Sequence, residues 1–537
     1  MKNEVTQMVS LRRSVAAWIA ILLLFASLPV STPAQTETPR RGGTLIIANT
    51  ADPTTLNPTL TTAVTATLVT SKMFNALISH DWNGMPIPDL ARSWTTSDNG
   101  LTIRFELVRN AQWHDGKPLT SADVKFTYEE AIFKFHPFGK TAYAAVESVQ
   151  APDPYTVVFR LKYPAPALFS IMGVYAGAIL PKHLYEGTDV TKNPQNERPV
   201  GSGPFRFKEW VKGSHVALER NPNYFKSSKP YLDRIVLKTM PDATARMLAF
   251  ETGEVDYLPY FATPLHEVQR LQKMKDVEIL LAPGFSSIYQ VWFNLRKPPL
   301  NDVRVRHAIA HTVDKQVIFE KAAFGLGKIA TGPVATVTKW AYNPNVATYP
   351  RDIARANRLL DEAGLRRGAD GTRFKLNMLT DAASPVGPQM AEIVRDQLRD
   401  VGIVVEHRPL DSATLWDKMF VQWDYDTAIQ EIATGPDPAI GIARLYVSSN
   451  IRKVPFTNGE GYSNPEVDAL FDQGAREPNQ AKRAVIYKKI QEILAKDLPL
   501  LWTWEQAYPV AFKRQFVNGL VTPYSNFESN EDTWMRP

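Results

Sequence analysis

Cysteine is absent from all 537 residues. No disulfide can form, so stability must come from a large buried core. Thiol catalysis, thiolate metal sites and a lipid-modified cysteine tether are excluded as well. Beyond residue 34 no apolar run approaches the roughly 20 residues that a membrane-spanning helix needs. No G-x-x-x-x-G-K-[ST] phosphate loop occurs; Gly325-Leu-Gly-Lys-Ile329 lacks both the spacing and the hydroxyl residue. No G-x-S-x-G nucleophile elbow occurs either, and Ser202, in Gly201-Ser-Gly-Pro204, reads as part of a turn. A strong charge bias is also missing. The net charge is +6, and the first 34 residues hold three basic residues and one acidic, leaving +4 without them. That mild, scattered excess forms no basic face for nucleic acid and no basic amphipathic run for a membrane surface.

What is present begins with an export pattern in residues 1–34. Lys2, Arg12 and Arg13 give a basic start. An apolar stretch from Val15 to Val30 follows, and Thr32-Pro33-Ala34 supplies small residues for cleavage before Gln35. The chain is therefore expected to leave the cytoplasm and be released from the membrane.

The remainder reads as an α/β protein. Gly43-Thr-Leu-Ile-Ile-Ala48 is a short strand running into a turn-rich loop, residues 52–58. Leu101, Ile103, Phe105 and Leu107 alternate with Arg104 and Glu106, as in a half-buried strand, and Tyr155, Val157, Phe159 and Leu161 repeat the pattern. Thr120-Ser-Ala-Asp123 resembles a capping box opening a helix through Val124, Phe126 and Tyr128. Asp302 can cap a helix carrying Val305, Ala308, Ile309 and Val313. Helical spacing from Ile353 to Ala363 ends at Gly364, a plausible C-cap. A strand over Phe374, Leu376 and Met378, a helix from Met390 to Val401 and a strand from Ile403 to Val405 suggest a βαβ unit. Strands at 289–295 and 500–504 lead into and out of this region. Two such crossings make a hinge with a cleft between the lobes.

Candidate chemistry is sparse. His307 and His311 share a helix face, but Ala308 stands where a zinc protease motif carries its general-base glutamate, so structural histidines are the better reading. His114-Asp115-Gly116 reads as a turn. No cofactor or metal is expected. Aromatics are more suggestive: Trp292, Trp416, Trp423, Trp502 and Trp504 fall in the crossings and cleft-side loops, where large amphipathic rings suit a ligand grip.

These residues also carry a recognisable pattern. Leu90-Ala-Arg-Ser-Trp94, residues 101–107 and Trp113-His-Asp-Gly-Lys-Pro-Leu-Thr-Ser-Ala-Asp-Val-Lys-Phe126 are followed in order by Gly201-Ser-Gly-Pro-Phe205, Asn221-Pro-Asn-Tyr-Phe225 and Pro230-Tyr-Leu-Asp-Arg-Ile235. Gly253-Glu-Val-Asp256, residues 299–309 and residues 349–364 continue it. The chain resembles the family 5 solute-binding proteins of bacterial ABC importers, of the dipeptide- and oligopeptide-binding type. The resemblance implies a periplasmic binding protein-like fold: two α/β lobes joined by a hinge, with a ligand cleft and an extra subdomain inserted in lobe I. In those terms residues 42–80, 200–295 and 504–537 are lobe I, 81–199 the inserted subdomain and 296–503 lobe II. It implies a monomer without catalysis that captures a peptide and delivers it to ABC permease and ATPase subunits.

Carried over residue by residue, the resemblance makes Asp52 and Thr54 cleft residues of the first loop, and Tyr289, Trp292, Trp502 and Trp504 cleft residues of the crossings. In relatives an aspartate before an acidic-Pro pair holds the peptide's free α-amine. Here the segment is Glu431-Ile-Ala-Thr-Gly-Pro-Asp-Pro438, so aligning Asp437-Pro438 places Thr434 at the aspartate's position and Glu431 at that of a preceding tryptophan. A hydroxyl supplies no negative charge. Either Glu431 or Asp437 substitutes from nearby, or a shifted loop restores the match, or the ligand lacks a free α-amine: an opine, a modified peptide, an oligosaccharide or a metal–chelator complex. A secreted hydrolase, and a periplasmic chaperone or sensor component that uses the same cleft, are the remaining alternatives.

Overall fold

Three sheets divide the work of burying the apolar strands. The computed structural model describes residues 37–282, 287–521 and 529–537, so the export pattern of residues 1–34 lies outside the described residues. Residues 1–40 cluster separately from 41–537, and the four described residues of that first unit, 37–40, carry no regular secondary structure. Among the described residues no helix is long and apolar enough to cross a membrane.

In the larger unit, a seven-stranded sheet is built around Thr44–Asn49, which pairs in parallel with Arg234–Thr239 and with Tyr257–Leu258. A six-stranded sheet is built around Ser287–Phe293, flanked by Thr427–Ala433 and Leu500–Glu505. Within residues 81–199 lies a third, four-stranded antiparallel sheet with its own apolar core. There the alternation read from sequence is realised: Ile103, Phe105, Leu107, Val157, Phe159 and Leu161 are buried. Tyr155 is half-buried just before its strand, and Leu101 departs further. It precedes the strand Thr102–Leu107 and is exposed, because the turn at Asp98–Gly100 delivers the chain to the sheet one residue later.

Local signals elsewhere hold. Thr120 and Asp123 form a reciprocal capping box on the helix Ser121–Phe126, with the Thr120 N–H donating to Asp123 Oδ2 at 2.8 Å. The Asp302 carboxylate caps Val303–Thr312, accepting from the Arg304 N–H. Gly364 takes a left-handed conformation after the helix Ile353–Glu362. Phe374–Asp381, the helix Gly387–Leu398 and Ile403–Leu410 form the expected βαβ unit, the two strands pairing in parallel from Phe374 opposite Ile403 to Asp381 opposite Leu410.

The chain passes twice between the two large sheets. Val277–Ala282 belongs to the seven-stranded sheet and Ser287–Phe293 to the six-stranded one; Leu500–Glu505 and Tyr508–Lys513 make the return. The strands on either side of each crossing pair antiparallel with those of the other, and the Gln506 N–H donates to the Ser287 carbonyl at 2.9 Å, tying the crossings together. Residues 200–295 are expected from sequence in the first lobe. The strand Ser287–Phe293 instead pairs along its whole length in the six-stranded sheet, so the passage falls before Ser287. The reason is its composition: Ser-Ile-Tyr-Gln-Val-Trp-Phe is buried on both faces, as only a central strand of a covered sheet can be.

Candidate ligand cleft

A cavity of about 1660 Å³ opens between the sheets, bounded by the two crossings and by the region of residues 137–175. Its walls are largely apolar. Phe138 and Tyr175 face it from the region of residues 137–175, Tyr260 and Phe261 from the seven-stranded side, and Ile432 and Ile440 from the six-stranded side. Typical small-molecule pockets measure about 300–1,000 Å³. This one suits a larger or extended ligand.

At the edge of the strand Thr427–Ala433, beside the crossings, Glu431 turns its carboxylate into the cavity wall. Four neutral groups surround it. The Gln506 amide, oriented with its nitrogen toward Glu431, lies 2.8 and 3.1 Å from the two carboxylate oxygens. The Tyr508 hydroxyl donates at 3.4 Å, and the hydroxyls of Ser287 and Tyr289 also bond it. No cation pairs with it among the described residues. Burial therefore pushes the Glu431 carboxyl above the ordinary glutamate range, and the hydroxyls offset this only in part. A deep carboxylate with neutral donors and no counter-charge is a ready site for an incoming cation.

The residues chosen from sequence fare differently. Tyr289 reaches the site, though only through Glu431; its ring is buried, stacked on Trp504 with centroids 5.1 Å apart. Trp504 itself is core, donating its indole N–H to the Leu326 carbonyl at 2.7 Å. Trp502 points the other way, its N–H on the Tyr446 hydroxyl at 3.0 Å, and Trp292 packs edge-on against Phe420. None of these three indoles lines the cleft. Each alternates onto a covered face of a central strand, where burial of a large apolar area outweighs display. Asp52 is structural, accepting from the Gly213 N–H and, at 2.6 Å, from the Thr239 hydroxyl, while Thr54 is exposed outside the cavity.

Asp437 and Thr434 are likewise withdrawn from the cleft. Asp437 receives both ends of the Arg483 guanidinium, at 2.7 and 2.9 Å, with both side chains buried. Thr434 is 5% exposed and does not line the cavity. The loop folds so tightly that a Cβ on Gly441 would sit 1.6 Å from the Thr434 carbonyl oxygen. Thr434→Asp therefore buries a charge in a closed loop. We expect it to lower the melting temperature and leave peptide affinity no higher, as differential scanning fluorimetry and calorimetry can check; a gain in affinity would place this side chain in the cleft.

Sequence reasoning missed Gln506, Tyr508, Tyr260 and Arg444 as cleft residues. The first two lie two and four residues beyond Trp504, and the change of sheet between Glu505 and Tyr508 is the signal that the chain there faces the gap. His307 and His311 each set one ring nitrogen against a backbone carbonyl: His307 Nε2 lies 2.7 Å from that of Lys496, and His311 Nδ1 2.8 Å from that of Pro350. Among the described residues no cluster of three or more His, Asp or Glu could hold a metal.

Two α/β sheets joined by paired crossings over an open cleft define a solute-binding protein. The chain belongs to the bacterial extracellular solute-binding proteins of family 5, whose middle-region profile matches residues 85–453. It is 27% identical over 514 residues to the oligopeptide-binding protein AppA of Bacillus subtilis, covering 93% of this chain and 92% of AppA. The solved structure of AppA with a nonapeptide superposes with a TM-score of 0.76 at 26% identity, covering 93% of this chain and all of the other. The probable D,D-dipeptide-binding periplasmic protein DdpA of Escherichia coli is 28% identical over 484 residues, 89% of this chain and 91% of DdpA. Heme-binding protein A of Haemophilus influenzae is 28% identical over 466 residues, 80% of each chain.

Proposed function

We propose that this protein captures peptides with a free α-amine in its interlobe cleft and delivers them to the permease and ATPase of an ABC importer. The observation that carries this reading is Glu431: a carboxylate deep in the cleft wall, bonded by neutral donors and without a cation beside it among the described residues. An ammonium is the group that completes it. The size of the cavity favours an extended ligand over a single amino acid. The names of AppA and DdpA, which describe peptide ligands, point the same way.

In this reading residues 1–34 direct export and are removed, and the mature protein works as a free monomer in the periplasm without chemical turnover of its ligand. The paired crossings act as the hinge. A ligand that touches both walls binds the closed form more tightly than the open one, and that difference is what a permease can sense.

Calorimetry with peptides bearing free and acetylated N-termini tests the proposal. Free-amine peptides should bind, and acetylation should weaken binding at least tenfold. Equal affinity for both would contradict the assignment of Glu431.

A further inference from the structure

A second uncompensated charge faces the same cleft. Arg444 lines the cavity wall and donates to three carbonyls: Nε to Gly441 at 2.9 Å, Nη1 to Phe456 at 3.2 Å and Nη2 to Ala433 at 3.3 Å. No carboxylate pairs with it among the described residues, and burial lowers its pKa with no opposing charge. A guanidinium has five N–H donors. Three are used by the protein, leaving two for a partner, and the carbonyl contacts fix the planar group in place. Carboxylates match such a fork.

The position of Arg444 relative to Glu431 gives the site its meaning. Its guanidinium touches the Ala433 carbonyl, two residues beyond Glu431 on the same strand. Two residues of strand span about 7 Å. Arg444 and Glu431 thus engage one stretch of the same strand, and both line the cavity.

We propose that Arg444 is the anchor for a ligand carboxylate set one to two residues from the ammonium that Glu431 receives. This rests on the reading of Glu431 as the amine site and adds a second requirement to it. The carboxylate has two sources: the C-terminus of a dipeptide, or an acidic side chain at the second position of a longer peptide.

Calorimetry on ligand-stripped protein distinguishes them. The probes are dialanine against dialanine amide, and pentaalanine amides carrying aspartate or asparagine at the second position. The wild type should prefer the carboxylate member of one pair by tenfold or more, and the preferred pair names the source. Arg444→Gln should abolish that preference and Arg444→Lys retain part of it. Arg444 also braces three carbonyls, so circular dichroism accompanies the variants, and the wild-type comparison decides the matter without them. Equal affinity within both pairs overturns the Arg444 assignment while leaving peptide capture standing. Failure of the wild type to bind any of the four removes peptide capture and the Arg444 assignment together.

Discussion

Glu431→Gln should lower affinity for free-amine peptides by roughly 30-fold to several thousand-fold. Removing one partner of a desolvated, hydrogen-bonded charge pair costs about 2–5 kcal/mol, and every 1.4 kcal/mol is about tenfold in affinity. Glutamine keeps the shape and can still engage Gln506 and Tyr508, so the loss reports charge. The same residue predicts a pH dependence. Burial raises the Glu431 pKa in the unliganded protein, while an ammonium ligand requires the ionised form. Wild-type affinity should therefore rise with pH from the ordinary glutamate range through the raised value, and the Gln variant should show a flat profile there. Stability moves in the opposite sense. Because the folded protein holds this proton more tightly than the unfolded chain, the unliganded protein loses stability as pH rises through that window. Glu431→Gln should thus stabilise the empty protein at neutral pH. An affinity unchanged by the substitution, measured by calorimetry, would remove Glu431 from the ligand site.

Asp437→Ala should be the most destabilising of the substitutions considered. It leaves the Arg483 guanidinium buried and unpaired, and breaking one side of a buried pair costs about 3–5 kcal/mol. Arg483 also lies over the ring of Trp340, 4.9 Å from its centroid, so the unpaired charge cannot swing to solvent without unpacking that contact. Replacing both partners by apolar residues of similar volume should recover much of the loss, since the desolvation penalty goes with the charges. Urea denaturation measures both. A single-variant loss below about 1 kcal/mol, the range of an exposed pair, would show that the pair is solvated.

Fold and site differ in how much of them could be read from the sequence. Capping at Thr120–Asp123 and at Asp302, the βαβ unit of residues 374–410 and the double crossing follow from local rules: period, cap residues and turn glycines. These depend on neighbours in the chain, which sequence contains. The site depends on which side of a strand faces the gap. Trp292, Trp502 and Trp504 were chosen for their ring chemistry, yet they lie on central strands buried on both faces, where alternation carries no information about the cleft. Asp437 stands out in sequence by its place before a proline, but it lies in a loop and its partner Arg483 is 46 residues away on the helix Gln480–Asp497, a pairing no local pattern reveals. Glu431 is legible only as a departure, a carboxylate where the family resemblance leads one to expect a tryptophan. Its surroundings came from Ser287, Gln506 and Tyr508, which meet only when the crossings form.

Mass spectrometry of small molecules released from mature protein purified without refolding tests peptide capture most directly. We expect a set of peptides with unmodified N-termini. A single non-peptide species, or peptides uniformly blocked at the amine, would contradict the account.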